Sequence, residues 1–163
     1  MELHLDEMTG EVLVRGPNVF AGYWDQPEAT SEVFEDGWFR TGDLAQITDN
    51  GYVSIVGRVK ELIISGGLNV YPREVDDVLA THPAIADVAV AGVPSAEWGE
   101  DVVAWVVPRD GAECPTAAEL RTFASRALAS YKLPRRVVPI ATLPRNALGK
   151  VLRHELRETQ NHG

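Results

Sequence analysis

The sequence predicts an α+β fold, a small carboxy-terminal domain of mixed α/β character preceded by a β-rich tail of a larger domain. Three observations carry that expectation. Up to Gly57 the apolar residues fall in short runs separated by Gly, Pro, Asn and Asp, the punctuation of strands and turns. Beyond Gly57, strand-like runs alternate with helix-like ones. The helix-like runs also carry start signals, Pro72 in one and a Thr116–Glu119 capping box in the other.

In chain order, Val12-Leu13-Val14 predicts a short strand ending at Gly16-Pro17, and Pro27 to Phe34 a small surface helix. Asp36-Gly37 turns the chain into a strand at Trp38-Phe39-Arg40. Leu44 to Ile47 and Tyr52 to Val56 flank Asp49-Asn50-Gly51, where Asn-Gly is the pair a tight hairpin wants. Leu62-Ile63-Ile64 reads as a short buried strand followed by a bare loop. Pro72 then starts a helix with Val75, Val78 and Leu79 on one face, and Pro83 closes it. Ile85 to Val93 and Val102 to Val107 are β-branched strands. After Thr116, the spacing of Leu120, Phe123, Ala124, Ala127 and Leu128 predicts a helix, Val137 to Ile140 a last strand, and Val151 to Arg157 a closing helix. Residues 58–163 thus form a domain of about 100 residues, enough to bury its own core. Residues 1–57 are too few and too open-edged to stand alone and read as the end of a larger domain.

The formal net charge of −9 conceals a division. Residues 1–120 hold six Lys/Arg against 22 Asp/Glu, whereas 121–163 hold nine against two. A basic carboxy-terminal third suits either an anionic ligand such as a polyphosphate or a solvated helix and tail. Nucleic acid is not expected, because aromatics are not interleaved with the basic residues. One cysteine, Cys114, excludes an internal disulfide, and the scattered His4, His82, His154 and His162 suggest no metal centre. No apolar run approaches the roughly 18 residues of a membrane span, and no secretory leader is visible, so a cytoplasmic location is expected.

Three constellations have chemical potential. Arg40-Thr41-Gly42-Asp43 ends a strand; Asp43 either steadies a turn or offers two acceptor oxygens to a sugar diol. Gly57 to Glu74 joins Arg58, a fork of donors for phosphate or ribose oxygens, to Lys60 and to the side-chain-poor Ser65-Gly66-Gly67. These residues are either surface charges and a strand turn, or a pivot with a surface that a ligand can approach closely. The run from Pro144 to Lys150 ends in Gly149-Lys150 but is no phosphate loop, having Pro144 where Gly is needed and Val151 where Ser or Thr is needed. Lys150 is then a solvated lysine or a mobile charge for neutralising a developing anion.

Together and in this order, these stretches resemble the adenylate-forming superfamily of AMP-forming acyl-CoA synthetases, adenylation domains and luciferases. The likeness runs from Gly10-Glu11-Val12-Leu13-Val14-Arg15-Gly16-Pro17 and Gly22-Tyr23-Trp24 through Arg40-Thr41-Gly42-Asp43 to Gly149-Lys150. The resemblance implies that Asp43 holds the ATP ribose, that Arg58 supports the same nucleotide and that Lys60 is the hinge. It implies that Ser65, Gly66 and Gly67 line the CoA pantetheine path, and that Lys150 is the catalytic lysine, meeting the carboxylate and the α-phosphate. The implied substrates are Mg2+-ATP, CoA and a carboxylic acid, with a large amino-terminal domain of the same enzyme as partner.

That family's Ser/Thr/Gly-rich phosphate loop and aromatic-Gly-x-Thr-Glu segment lie upstream of the part matched, as do its acid pocket and magnesium ligands. The chain is therefore expected to be the carboxy-terminal portion of an acid–CoA ligase, inactive alone. Gly66 to Val75 resembles medium- and long-chain acyl-CoA synthetases more than peptide-synthetase adenylation domains. Two other readings stand beside it: a free-standing, non-catalytic binding module, and an adenylation domain serving a carrier protein.

Overall fold

Short strands need partners, and in the computed structural model, which describes residues 1–159, they find them in two sheets. Each sheet belongs to its own compact unit, one spanning Met1–Lys60 and the other beginning at Glu61. His162 and the end of the expected 58–163 domain lie outside the described residues.

The first unit is an antiparallel sheet of β1 (Glu2–Leu5), β2 (Glu11–Arg15), β3 (Phe34–Glu35), β4 (Trp38–Ile47) and β5 (Val53–Arg58), with α1 (Pro27–Val33) before β3. The spatial order is β1-β2-β4-β3, with β5 also pairing β4. Trp38-Phe39-Arg40 and Leu44 to Ile47, expected as separate strands, are one ten-residue strand. It survives Gly42, at φ +72°, because neighbours on both edges tie it down. Asn50-Gly51 turns the chain, but as the end of a three-residue loop. Thr48 N donates to Tyr52 O and Gly51 N to Thr48 O, both at 2.8 Å, and Gly51 takes the left-handed place at φ +78°. The expected helix stops one residue early because Phe34 enters β3, where it faces Phe39. The buried apolar residues are few, Val12, Leu44 and Ala45, while Trp24, Ile47, Tyr52 and Ile55 stay exposed.

The second unit has a sheet ordered β10-β9-β6-β7, with β8 pairing β9. Its strands are β6 (Ile63–Ser65), β7 (Leu68–Val70), β8 (Ile85–Ser95), β9 (Gly99–Pro108) and β10 (Arg136–Pro139). Among the described residues only β10 runs parallel to its neighbour, so the fold is α+β as expected. The helices are α2 (Pro72–Leu79), α3 (Ala117–Ala124) and α4 (Arg153–Glu158). Pro72 sits in the first turn of α2, where a missing N–H costs nothing, and Thr116 and Glu119 close the reciprocal capping box of α3. Two expected helices are shorter than the apolar spacing suggests. Ser125 ends α3 although Leu128 is still buried, and Val151 bridges Arg145 before α4 begins.

The β8–β9 hairpin explains its unbroken apolar sequence. Val88, Val90, Val102, Ala104 and Val106 face a core shared with α2 and α3. Ala89, Ala91, Val93, Val103 and Trp105 face a second core with Leu143 and Leu156 of α4. A sheet covered on both faces needs apolar residues at every position. Trp105 is the largest fully buried side chain, and its replacement by Ala is expected to cost about 3–5 kcal/mol. Urea unfolding checks this; a loss below about 1 kcal/mol would contradict the central role given to Trp105.

Candidate functional site

In the first unit the geometry centres on the Thr-Gly-Asp stretch of β4. Thr41 Oγ1 donates to Val12 O at 2.8 Å and accepts the Asp43 N–H at 3.1 Å. Gly42 N donates to the carboxylate of Glu11 at 2.9 Å, and Arg40 donates to the other oxygen of that carboxylate at 2.6 Å. Glu11 is almost wholly buried, so a paired guanidinium and a backbone N–H are what make its charge tolerable there. No motif marks Glu11 as a supporting residue, although it lies in the stretch that carries the resemblance. Asp43 then stands opposite Arg58 across the β4–β5 register, and Arg58 Nε approaches its carboxylate to 2.8 Å. Both groups remain partly exposed, so acceptor and donor stand side by side within reach of a ligand.

Lys60 is the last residue of the first unit and the middle of the 3-10 turn Val59–Glu61. In the second unit, Ser65 ends β6 and is buried, and its Oγ lacks a hydrogen-bond partner among the described residues. Gly66 and Gly67 are the two central residues of the β6–β7 turn, at φ +60° and +77°. That hand at both positions is what a type I′ turn requires and what glycine supplies without strain. The loop expected there is therefore a hairpin tip, and β7 is the strand hidden by its brevity. Gly66 N donates to Trp98 O at 2.8 Å, and a Cβ on Gly66 would lie 3.0 Å from the Trp98 ring. The guanidinium of Arg135 stacks on that ring, 3.9 Å from its centroid. Trp98 and Arg135 were not anticipated, since 37 residues separate them and neither stands in a motif.

Lys150 sits on a loop that is pinned. The Asn146 side chain accepts the N–H groups of Leu148 and Lys150 at 3.0 and 2.9 Å. Arg145 donates to Gly149 O and to Asp87, both at 2.7 Å. The Lys150 ammonium, on a side chain 55% exposed, lies 3.3 Å from Glu61 Oε1. Arg153 approaches the other oxygen of Glu61 at 3.2 Å, donates to Asp76 at 2.7 Å and to Val90 O at 3.1 Å, and is only 13% exposed. Burial favours the neutral form of Glu61, but Arg153 and Lys150 outweigh it and hold the carboxyl below its ordinary 4.5. Asp76 is buried more deeply, and desolvation pushes its carboxyl up to about 6, against the pull of Arg153 and the Val90 N–H.

Residues 74–150 match the family model of the AMP-binding enzyme C-terminal domain. That stretch of the chain carries the AMP-binding enzyme C-terminal domain. Its sequence is 49% identical over 150 residues to indoleacetate–CoA ligase of Aromatoleum aromaticum, covering 92% of this chain and 29% of that enzyme. It is 46% identical over 155 residues to long-chain-fatty-acid–CoA ligase of Bacillus subtilis, covering 94% of this chain and 28% of the relative. Among solved structures, the o-succinylbenzoate CoA synthetase of Bacillus subtilis in complex with its acyl-adenylate intermediate is 36% identical with a TM-score of 0.85, over 96% of this chain and 33% of that one. The AMP-binding enzyme C-terminal domain therefore makes up part of a chain that spans less than a third of these relatives.

A raised carboxyl means that folded protein holds the Asp76 proton more tightly than unfolded chain. The Asp76 contribution is present below about 3.8 and is lost as pH rises through about 6. Glu61 acts oppositely, adding stability above 4.5 that is lost as pH falls through its lowered value. A carboxyl-carbon NMR titration of Asp76 is expected to show a midpoint near 6; a midpoint at or below 3.8 would refute the dominance of burial.

Proposed function

We propose that this chain is the carboxy-terminal part of a cytoplasmic, ATP-dependent, AMP-forming acid–CoA ligase. Residues 1–57 would close the large nucleotide- and acid-binding domain, and residues 58–163 would be the small mobile domain. The observation that carries the reading is the Asp43–Arg58 pair, a carboxylate and a guanidinium 2.8 Å apart and open to solvent. Asp43 can accept both hydroxyls of an ATP ribose while Arg58 donates to oxygens of the same nucleotide. The relatives named for indoleacetate and long-chain fatty acids support a carboxylic acid as the second substrate.

The chemistry divides into two half-reactions. A carboxylate oxygen attacks the α-phosphorus of ATP, the bond to the leaving oxygen breaks, and acyl-adenylate and pyrophosphate form. Lys150 meets the carboxylate and the α-phosphate and offsets the negative charge spread over the transition state. The small domain then turns about Lys60, removing Lys150 and presenting Ser65, Gly66 and Gly67. The CoA thiol gives up its proton, its sulfur bonds to the acyl carbon, and AMP leaves. Glycine at both tip positions lets pantetheine approach the backbone, and the Trp98–Arg135 stack beside Gly66 offers an aromatic face and a cation to the rest of CoA. Among the described residues there is no group of three or more His, Cys, Asp or Glu that could hold a metal ion. No described helix is long and apolar enough to cross a membrane.

Lys150→Ala in the complete ligase is expected to slow adenylate formation by about 100-fold or more. Thioester formation from supplied acyl-adenylate should stay near normal. Rapid-quench measurement of each half-reaction checks this, and equal losses in both would contradict the role given to Lys150. Gly66→Ala is expected to do the reverse, slowing CoA transfer while sparing adenylation, because its Cβ meets Trp98 at a left-handed position.

A further inference from the structure

We propose that Glu61 is the positioning residue for Lys150: its carboxylate, steadied at one oxygen by Arg153, holds the Lys150 ammonium with the other and fixes where that charge stands. The inference rests on the reading of Lys150 as the adenylation lysine.

A lysine fixed only at its backbone leaves its charge free to sweep the length of a four-carbon stem. The loop bonds from Asn146 and Arg145 fix the backbone around Lys150 and do nothing for the ammonium. Glu61 supplies the missing restraint, with Oε1 at 3.3 Å from Nζ. Glu61 is itself fixed, because Arg153 bonds its second oxygen and is tied in turn to Asp76 of α2 and to Val90 O of β8. The charge on a solvent-exposed loop is thereby referenced to the core of the unit.

Comparison with Lys132 sets the strength of the hold. Lys132 is bonded by both oxygens of Glu74 at 2.7 Å and is largely buried, a pairing made to stay closed. Lys150 meets one oxygen, at a longer distance, on a half-exposed side chain. Such a pair orients a charge yet yields to a stronger oxygen ligand, as a lysine serving an adenylyl transfer must.

The first measurement uses the chain itself, whose three lysines are Lys60, Lys132 and Lys150. Limited acylation with N-hydroxysuccinimidyl acetate, quantified by mass spectrometry, is expected to modify Lys150 about threefold faster in Glu61→Gln, with Lys60 and Lys132 unchanged. Unchanged Lys150 acylation would overturn the proposal. If Lys132 acylation also rises, the unit has loosened, and Glu61→Asp, which keeps a carboxylate beside Arg153 with one methylene less reach, is judged by the same criterion.

The second measurement uses the complete ligase. Glu61→Gln is expected to slow adenylate formation about tenfold, to leave thioester formation from supplied acyl-adenylate within about twofold, and to add nothing in a Lys150→Ala background. A slowing that persists in that background, or that affects both half-reactions alike, marks a merely structural role and overturns the proposal. Normal adenylation by Glu61→Gln where Lys150→Ala is deficient overturns the proposal alone, whereas normal adenylation by Lys150→Ala removes the reading beneath it.

Discussion

The guanidinium of Arg153 is the interaction on which the second unit's working parts depend. It reaches the 3-10 turn through Glu61, α2 through Asp76 and β8 through Val90 O, while remaining largely buried. A buried guanidinium is tolerated only when its donors are used, and here the partners come from three separate elements. Removing one partner of such a group typically costs about 3–5 kcal/mol, since the remaining charge is stranded. The same bonds that hold α4 to the sheet therefore hold the carboxylate beside Lys150.

Around that anchor the two units use buried charge in the same way. Glu11 in the first unit is paired with Arg40 and accepts the Gly42 N–H, next to Asp43, which the β4–β5 register sets opposite Arg58. In each case a deeply placed ion pair fixes the backbone, and a more exposed pair beside it, Asp43–Arg58 or Glu61–Lys150, is left able to exchange partners. Rigidity lies beneath, exchangeable charge above.

Much of the scaffold could be read from residue order alone, because its causes are local. Pro72 and the Thr116–Glu119 box announce helix starts by chemistry within one turn, and the β-branched runs of β8 and β9 announce a strand covered on both faces. What local pattern could not carry was pairing. Leu68–Val70 is a strand only because Gly66-Gly67 folds it onto β6, and Trp38–Ile47 is continuous only because partners on both edges bridge Gly42. The candidate site divides the same way. Asp43, Arg58, Gly66, Gly67 and Lys150 stand in recognisable stretches, whereas Glu11, Trp98, Arg135 and Arg153 gain meaning from contacts 29 to 92 residues distant in sequence or from a stack no spacing rule encodes.

In the proposed function this chain supplies the closing part of an adenylate-forming site. Exchange of labelled pyrophosphate into ATP reads the adenylation half-reaction without CoA. Exchange that requires a carboxylic acid is expected when the complete ligase is assayed, and none from the 163-residue chain by itself. Acid-dependent exchange by the isolated chain, or no exchange by the complete ligase with any carboxylic acid, would contradict that function.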